Sequence, residues 1–316
     1  MVAKLPARFT NVEAARKHLE AIQWPDGPVC PHCGTLDRAS PIKGGRPGLY
    51  FCGACRSQYT VTVGTVFERS KIPLNTWLYA NHLLCSSKKG ISGNQLARML
   101  GVTYKTAWFM AHRIRKAMEP LAGSEPPLGG EGKIVEADEA YIGKKDGKRK
   151  HVGAGGYGHK RTVLSLVERG GKIRSFKIGS SKREDVLPVV LANVNRKSIL
   201  HTDGAQVYRG LMATKGHAAV DHNKEFVREG KSGSVHTNTL EGFFSVFKRG
   251  MVGTYQHCGE QHLQRYLAEF DFRMNHRVKL GYTDDMRADA ALKGISGKRL
   301  TYRRSNKSGD NPSAIA

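Results

Sequence analysis

The chain has 316 residues, 39% of them hydrophobic, which is enough for two or three domains with a sizeable buried core and excludes a wholly disordered protein. Lys and Arg number 51 against 27 Asp and Glu, a net charge of +24. Such a surplus predicts a polyanionic partner, nucleic acid first, because each phosphate neutralised releases counterions; a basic protein merely kept soluble by its charge is the plain alternative. No apolar run reaches the ~18–20 residues of a transmembrane helix, so no membrane partner is expected.

Residues 1–24 read as an amphipathic helix with Val12, Ala15, Leu19 and Ile22 on one side. The segment lacks the apolar block of a secretory signal, so a cytoplasmic, nucleoid-associated protein is expected. That setting argues against structural disulfides among the six cysteines. Residues 25–70 carry Cys30-Pro-His-Cys33 and Cys52-Gly-Ala-Cys55. Two such knuckles present four thiolates at the spacing of a tetrahedral zinc site, with Gly34 and Gly53 for the tight turns. SPIKGGRPGLYF and QYTVTVGTVF read as antiparallel strands, completing a zinc ribbon around one structural Zn2+. Four thiolates leave no open coordination position, hence no catalysis there. Cys85 and Cys258 fall outside the pattern and read as packing residues.

Residues 71–120 look helical, and GISGNQLARMLGVTYKTAWFMAHRIRKAM has the form of a helix-turn-helix. Ser92 caps the first helix with Gln95 three residues on, Gly101 makes the turn, and Thr103 starts a second helix with Ala107, Met110 (or Ala111) and Ile114 inward. Tyr104, Lys105, Arg113, Arg115 and Lys116 are then left to reach DNA phosphates and base edges. An ordinary helical hairpin with a basic solvent face is the other reading. LAGSEPPLGGEGK, residues 121–133, marks a linker by its Gly and Pro.

From 134 to 280 strands and helices alternate, as in one α/β domain. GKIVEADEAYIGKK reads as a central strand with Glu136 and Asp138 on one face; acids there are costly unless a cation compensates. Glu136 and Glu139 are taken as plain acidic neighbours. The following loop, 143–160, is basic and Gly-rich; Lys144, Lys145, Lys148, Arg149 and Lys150 would lie along a DNA path, or form a solvated turn. RTVLSLVERGGKIRSFKI is a hairpin, REDVLPVVLANV a helix, and SILHTDGAQVY a strand ending at Asp203, with Gly204 turning the chain. SVHTNTLEGFFSVFKRG is a helix with Leu240, Phe243, Phe244 and Phe247 inward; Glu241 and Lys248 share a face about two turns apart. Asn238-x-x-Glu241 also fits a capping box. His201 and His236 lie nearby for packing or phosphate contact. Residues 281–316 are expected to be a basic, partly disordered tail.

The order strand, hairpin, helix, strand, helix places Asp138, Asp203 and Glu241 as in a ribonuclease H-like α/β fold, a mixed five-stranded sheet with helices. EADEAYIG, HTDGAQVY and HTNTLEGFFSVFKRGMVGTY, with CPHCG and FCGACR, resemble the zinc-ribbon DDE transposases of bacterial insertion sequences, the ISXO type, which are similar to Merlin-element transposases. The likeness spans roughly residues 15–280. It implies that Asp138, Asp203 and Glu241 form the catalytic triad, and that Lys248 is the basic residue two turns beyond the acid. The third position in such relatives can be Asn, so Asn238 stands beside Glu241 as the third ligand. It further implies two Mg2+ or Mn2+ ions for in-line attack on phosphodiester bonds, cleavage followed by strand transfer, and double-stranded DNA as partner, both terminal inverted repeats and target. A homodimer or higher multimer would pair two ends. A non-catalytic DNA-binding regulator, or a nuclease that only hydrolyses, remain as other readings.

Overall fold

In the computed structural model, which describes residues 5–121, 123–147, 157–208, 216–220, 227–230 and 233–301, the apolar stripes of the sequence gather into separate cores. The first is helical. A short turn, α1 (Ala7–Thr10), leads into α2 (Val12–Gln23), which Asn11 caps by accepting from Ala14 N at 2.9 Å. Ala15 and Leu19 are buried as expected, whereas Val12 opens the helix beyond the edge of the core and is 53% exposed.

The ribbon follows as a three-stranded antiparallel sheet of β1 (Ala39–Pro41), β2 (Tyr50–Cys52) and β3 (Gln58–Tyr59). The strand expected to run on through Phe67 stops at Tyr59. Val63 N bonds back to Thr60 O at 3.0 Å, Gly64 takes φ +71, and Val66 N donates to Ile295 O at 3.1 Å. Val61, Val66 and Phe67 therefore leave the ribbon and join the helical core.

That core is built on α3 (Leu74–Ser86), α4 (Gly93–Leu100) and α5 (Tyr104–Met118). Ser92 Oγ accepts from Gln95 N at 3.2 Å, Gly101 closes α4 at φ 65, and Thr103 Oγ1 accepts from Thr106 N at 3.3 Å. Leu96, Ala107, Met110 and Ile114 are buried, so the local signals for both helices act as read.

The α/β portion contains β4 (Ile134–Ile142), β5 (Arg161–Glu168), β6 (Ile173–Ile178), α6 (Arg183–Asn193), β7 (Ile199–Thr202) and β8 (Gly216–Ala219). A small ribbon of β9 (Arg228–Gly230) and β10 (Gly233–Val235) precedes α7 (Asn238–Gly250), a π-helical turn at Met251–Tyr255, and α8 (Leu263–Asn275). The five strands lie in the order β6-β5-β4-β7-β8; β5 is antiparallel to both neighbours, while β4, β7 and β8 run parallel. Alternation divides the sheet cleanly. Val135, Ala137, Leu164, Leu166 and Leu200 pack with α6, and Ala140, Ile142, Val163 and Val167 pack with α7 and α8. Both faces are covered, as parallel strands require.

The last helix, α9 (Asp284–Lys293), corrects the expected tail. Ala288, Ala291, Leu292 and Ile295 are buried in the N-terminal core, and Asn81 Nδ2 donates to Ala288 O at 2.9 Å. Residues beyond 301 lie outside the described residues. Among the described residues, no helix is long and apolar enough to cross a membrane.

Candidate active site and metal centres

Cys30, Cys33, Cys52 and Cys55 bring their sulfurs within 4.8 Å of one another, with Cys30–Cys55 and Cys33–Cys52 each at 3.6 Å. A tetrahedron with Zn–S bonds of ~2.3 Å has sulfur edges of about 3.8 Å, so the four atoms already stand nearly at the corners of a zinc site. None forms a disulfide. The Thr35 hydroxyl and N–H beside Cys33 lower its thiol to about 6, favouring the thiolate a metal needs. Donor set and geometry both fit one structural zinc.

The second cluster follows from strand register. β4 and β7 pair in parallel with Glu136 opposite His201, so two residues further along Asp138 comes level with Asp203, just past the end of β7. Asp138, Glu139 and Asp203 each offer an oxygen within 4.8 Å of the others. Gly204 turns the chain at φ +80, and Asp203 Oδ1 accepts from Ala205 N at 3.1 Å. Burial pushes Asp138 up to about 7, and the charges of Asp203, Glu139 and Glu241 push the same way. Glu139 is also raised to about 7, chiefly by burial, against a hydrogen bond from Tyr208 Oη that favours its ionised form. Three crowded carboxyl groups, two of them desolvated, repel unless a cation neutralises them, and hard divalent ions take oxygen donors of this kind. The residues present fit such an ion.

Sequence reasoning passed over Glu139. Strict alternation turns its side chain away from Asp138, and the signal that places it, the buried ring of Tyr208, comes from a distant turn. Glu241 lies outside the tight cluster, yet near enough for its charge to raise Asp138. It is exposed on the first turns of α7, as are Asn238 and, further along, Lys248, whose Nζ lies 5.9 Å from the Phe244 ring centre.

The alternative reading of Asn238 and Glu241 as a capping box does not hold. Thr237, not Asn238, is the cap of α7, and its side chain makes no capping hydrogen bond. The free N–H groups of Thr239 and Leu240 go instead to Glu136 Oε2, at 3.0 and 3.3 Å, while Thr239 Oγ1 donates to Glu136 Oε1 at 2.9 Å. Glu136 is wholly buried and pairs with Arg169 at 3.1 Å, so it is no plain acidic neighbour. Arg169 also reaches His201 Nδ1 and His236 Nδ1, each at 3.2 Å, and burial together with the arginine lowers His201 to about 4, holding it neutral.

Two residues expected on DNA turn out to be internal. Arg115 is 2% exposed; its Nε donates to Glu269 at 2.6 Å and its guanidinium lies 4.1 Å from the centre of the Tyr266 ring. Arg113 is 8% exposed, donates to Glu68 O at 2.8 Å, and lies over Phe109. Both fall on the inward side of α5 because α8 and the end of the ribbon cover it. Tyr104 and Lys105 remain exposed, and Lys116 is half-buried beside Glu119. In the basic loop, Lys144 is exposed and Lys145 Nζ donates to Gly179 O at 2.7 Å; Lys148, Arg149 and Lys150 lie outside the described residues.

A four-thiolate ribbon joined through basic helices to a mixed sheet, with carboxylates gathered where β7 ends beside the middle of β4, defines a zinc-ribbon protein with an acidic, metal-competent α/β domain. Residues 127–275 match the ISXO2-like transposase domain, and residues 11–58 match the transposase zinc-ribbon domain. The chain thus carries the two domains of a zinc-ribbon transposase of insertion sequences. It is similar to an uncharacterized protein of transposable element ISH50 from Halobacterium salinarum, 28% identical over 284 residues, covering 84% of this chain and 91% of the relative.

Proposed function

We propose that the protein binds the terminal inverted repeats of its element and catalyses metal-dependent strand cleavage and strand transfer. The observation that carries this reading is the parallel β4–β7 register, which brings Asp138 and Asp203 together from distant parts of the chain. The strand order, with β4 central and β7 beside it, supports a ribonuclease H-like domain. The Ser92 and Thr103 caps on either side of the Gly101 turn support a helix-turn-helix.

In this reading Asp138 and Asp203 are the fixed ligands, and Glu241 supplies the third side chain from α7, with Asn238 the alternative. Glu139 would add a fourth oxygen. Two Mg2+ or Mn2+ ions, when bound there, supply charge neutralisation and an activated oxygen for in-line attack on phosphodiesters. Lys248, on the same face as Glu241, would hold a DNA phosphate as a point charge. Tyr104, Lys105, Lys116, Lys144 and Lys145 would carry the duplex, whose salt-dependent binding suits the net charge of +24. Pairing of two ends calls for at least a homodimer, working in the cytoplasm on nucleoid DNA.

The test supplies the protein with pre-cleaved element ends, a target plasmid and Mg2+. Joined products that vanish in Asp138→Asn support the reading. Cleavage without joining would make the protein a hydrolytic nuclease, and end binding with neither activity would make it a regulator.

A further inference from the structure

We propose that Glu136 and Arg169 form a positioning clamp that locks the first turn of α7 to the sheet and so sets the approach of Glu241 to Asp138 and Asp203. The inference rests on the reading of these three acids as one metal-binding set.

A helix ordinarily satisfies its first N–H groups with its own cap residue. Here they are satisfied by a carboxylate from β4, wholly buried, which accepts from Thr239 N, Leu240 N and Thr239 Oγ1. Burying a carboxylate is costly unless pairing offsets it, and an apolar residue would join helix to sheet without that cost. What the carboxylate adds is direction. Two backbone donors and one hydroxyl, all meeting one carboxyl group, fix both the rotation and the height of α7 relative to β4. Arg169, on the turn after β5, closes the other side. Its Nε holds Glu136, and its terminal nitrogens reach Ser234 O at 3.0 Å, His236 O at 3.1 Å, and the Nδ1 atoms of His201 and His236. The guanidinium thus ties together β4, β7 and the segment entering α7.

The placement along the ladder ties this network to the metal site. Glu136 stands opposite His201, both on the rung that Arg169 binds. One rung further in the same alternation come Asp138 and Asp203. On the helix side, the residue after the clamped Leu240 is Glu241. Each acid of the proposed triad is therefore within two residues of Glu136 or of a residue that the clamp holds, and a slip of α7 would move Glu241 while leaving the other two in place.

The experiment measures Mn2+ binding by electron paramagnetic resonance, and turnover in end joining, on the full chain. Glu136→Gln keeps the side-chain shape but loses the charge that holds Arg169. It should weaken Mn2+ binding and lower kcat by about 10-fold or more, as loss of a supporting partner of a metal ligand does, with affinity for DNA ends within about twofold of the parent. Because the clamp acts through Glu241, the Glu136→Gln/Glu241→Gln double variant should bind Mn2+ no more weakly than Glu241→Gln alone. Losses that multiply in the double variant, or unchanged Mn2+ binding in Glu136→Gln, overturn the proposal. Should Glu136→Gln fail to fold, Thr239→Val, which removes one hydroxyl donor, carries the same readouts. A parent protein that binds Mn2+ through Glu241 yet joins no ends overturns the transposition reading and leaves the clamp to be judged on Mn2+ alone. Mn2+ binding indifferent to Glu241→Gln overturns the clamp, because nothing is left for it to position.

Discussion

Replacing Asp138 by Asn should stabilise the metal-free protein while abolishing its activity. Asp138 in the folded chain rises from the ordinary value of 3.8 to about 7. Ionising it there costs about 4 kcal/mol more than in water, an upper figure because Asp203 and Glu139 share the same repulsion. The folded pKa exceeds the unfolded one, so between these two values the folded chain keeps a proton that the unfolded chain releases. The metal-free protein therefore loses stability as pH rises from about 4 to about 7, and recovers it below that window. Asn is nearly isosteric, carries no charge, and its Oδ1 can still accept from Glu139 N, a contact of 2.7 Å in the structure. At pH 8 with EDTA we expect the variant to melt higher, by roughly 1–3 kcal/mol, which corresponds to some 2–10 °C. Added Mn2+ should raise the parent's melting temperature, more at pH 8 than at pH 5.5, and leave the variant where it was. Calorimetry across that pH range decides the matter. A variant that melts lower than its parent at pH 8 without metal would refute the argument that these acids repel, and with it the argument that they await a cation.

Other outcomes follow from the remaining features. Cys33→Ser should release zinc and unravel the ribbon, whose own core of Tyr50, Tyr59 and Trp24 is small; proteolysis would cut residues 30–58 while the α/β portion stays intact. Glu269→Ala should destabilise the protein by about 3–5 kcal/mol in denaturant melts, since it strands Arg115 and Arg273 in the interior. Lys105→Glu and Lys144→Glu should each weaken DNA binding and reduce the slope of its salt dependence by at least about one, with melting unchanged. Arg115→Met should alter stability and leave that salt slope alone, because Arg115 is inside.

The parts that were legible in the sequence rest on short-range rules. Two Cys-x-x-Cys pairs, the Ser92 and Thr103 caps and the Gly101 turn each act within a few residues. The pairing of Asp138 with Asp203 is long-range, but the succession of strands and helices dictates it once β4 and β7 are taken as neighbours. The illegible parts share another cause. Arg113 and Arg115 read as surface because a charge is ordinarily solvated, and the carboxylate that pairs with Arg115 is 154 residues away. Glu136 read as incidental because its partners are backbone N–H groups, which leave no trace in side-chain identity. The cap of α7 is not legible either, because Asn238 is as good a cap by type as Thr237. Among these residues only tertiary packing decides. The segment that forms α9 reads as part of a basic tail by the Lys, Arg, Ser and Gly around it, yet its Ala288 and Ala291 let a helix lie close to α3.

Two buried polar networks on α8 also explain how the halves of the molecule keep a fixed relation. On α8, Glu269 faces α5 and accepts from Arg115, Arg273 and Tyr255. Two residues later, Asp271 faces the sheet, where it accepts from Ser175 N and Oγ, each at 2.7 Å. Phe270, between them, meets Phe247 of α7 edge-on with ring centres 5.1 Å apart. One helix thus holds the N-terminal helices on one side, the edge of the sheet on another, and the helix bearing Glu241 on a third. Apolar contact alone would tolerate sliding, because it is non-directional. The hydrogen bonds of Glu269 and Asp271 do not tolerate it. A small rotation of α8 would leave a buried ion pair and a buried carboxyl group without partners, at a cost of several kcal/mol for the broken pair. The placement of α5 relative to the sheet is therefore set by polar contacts on α8 placed where solvent cannot relax them.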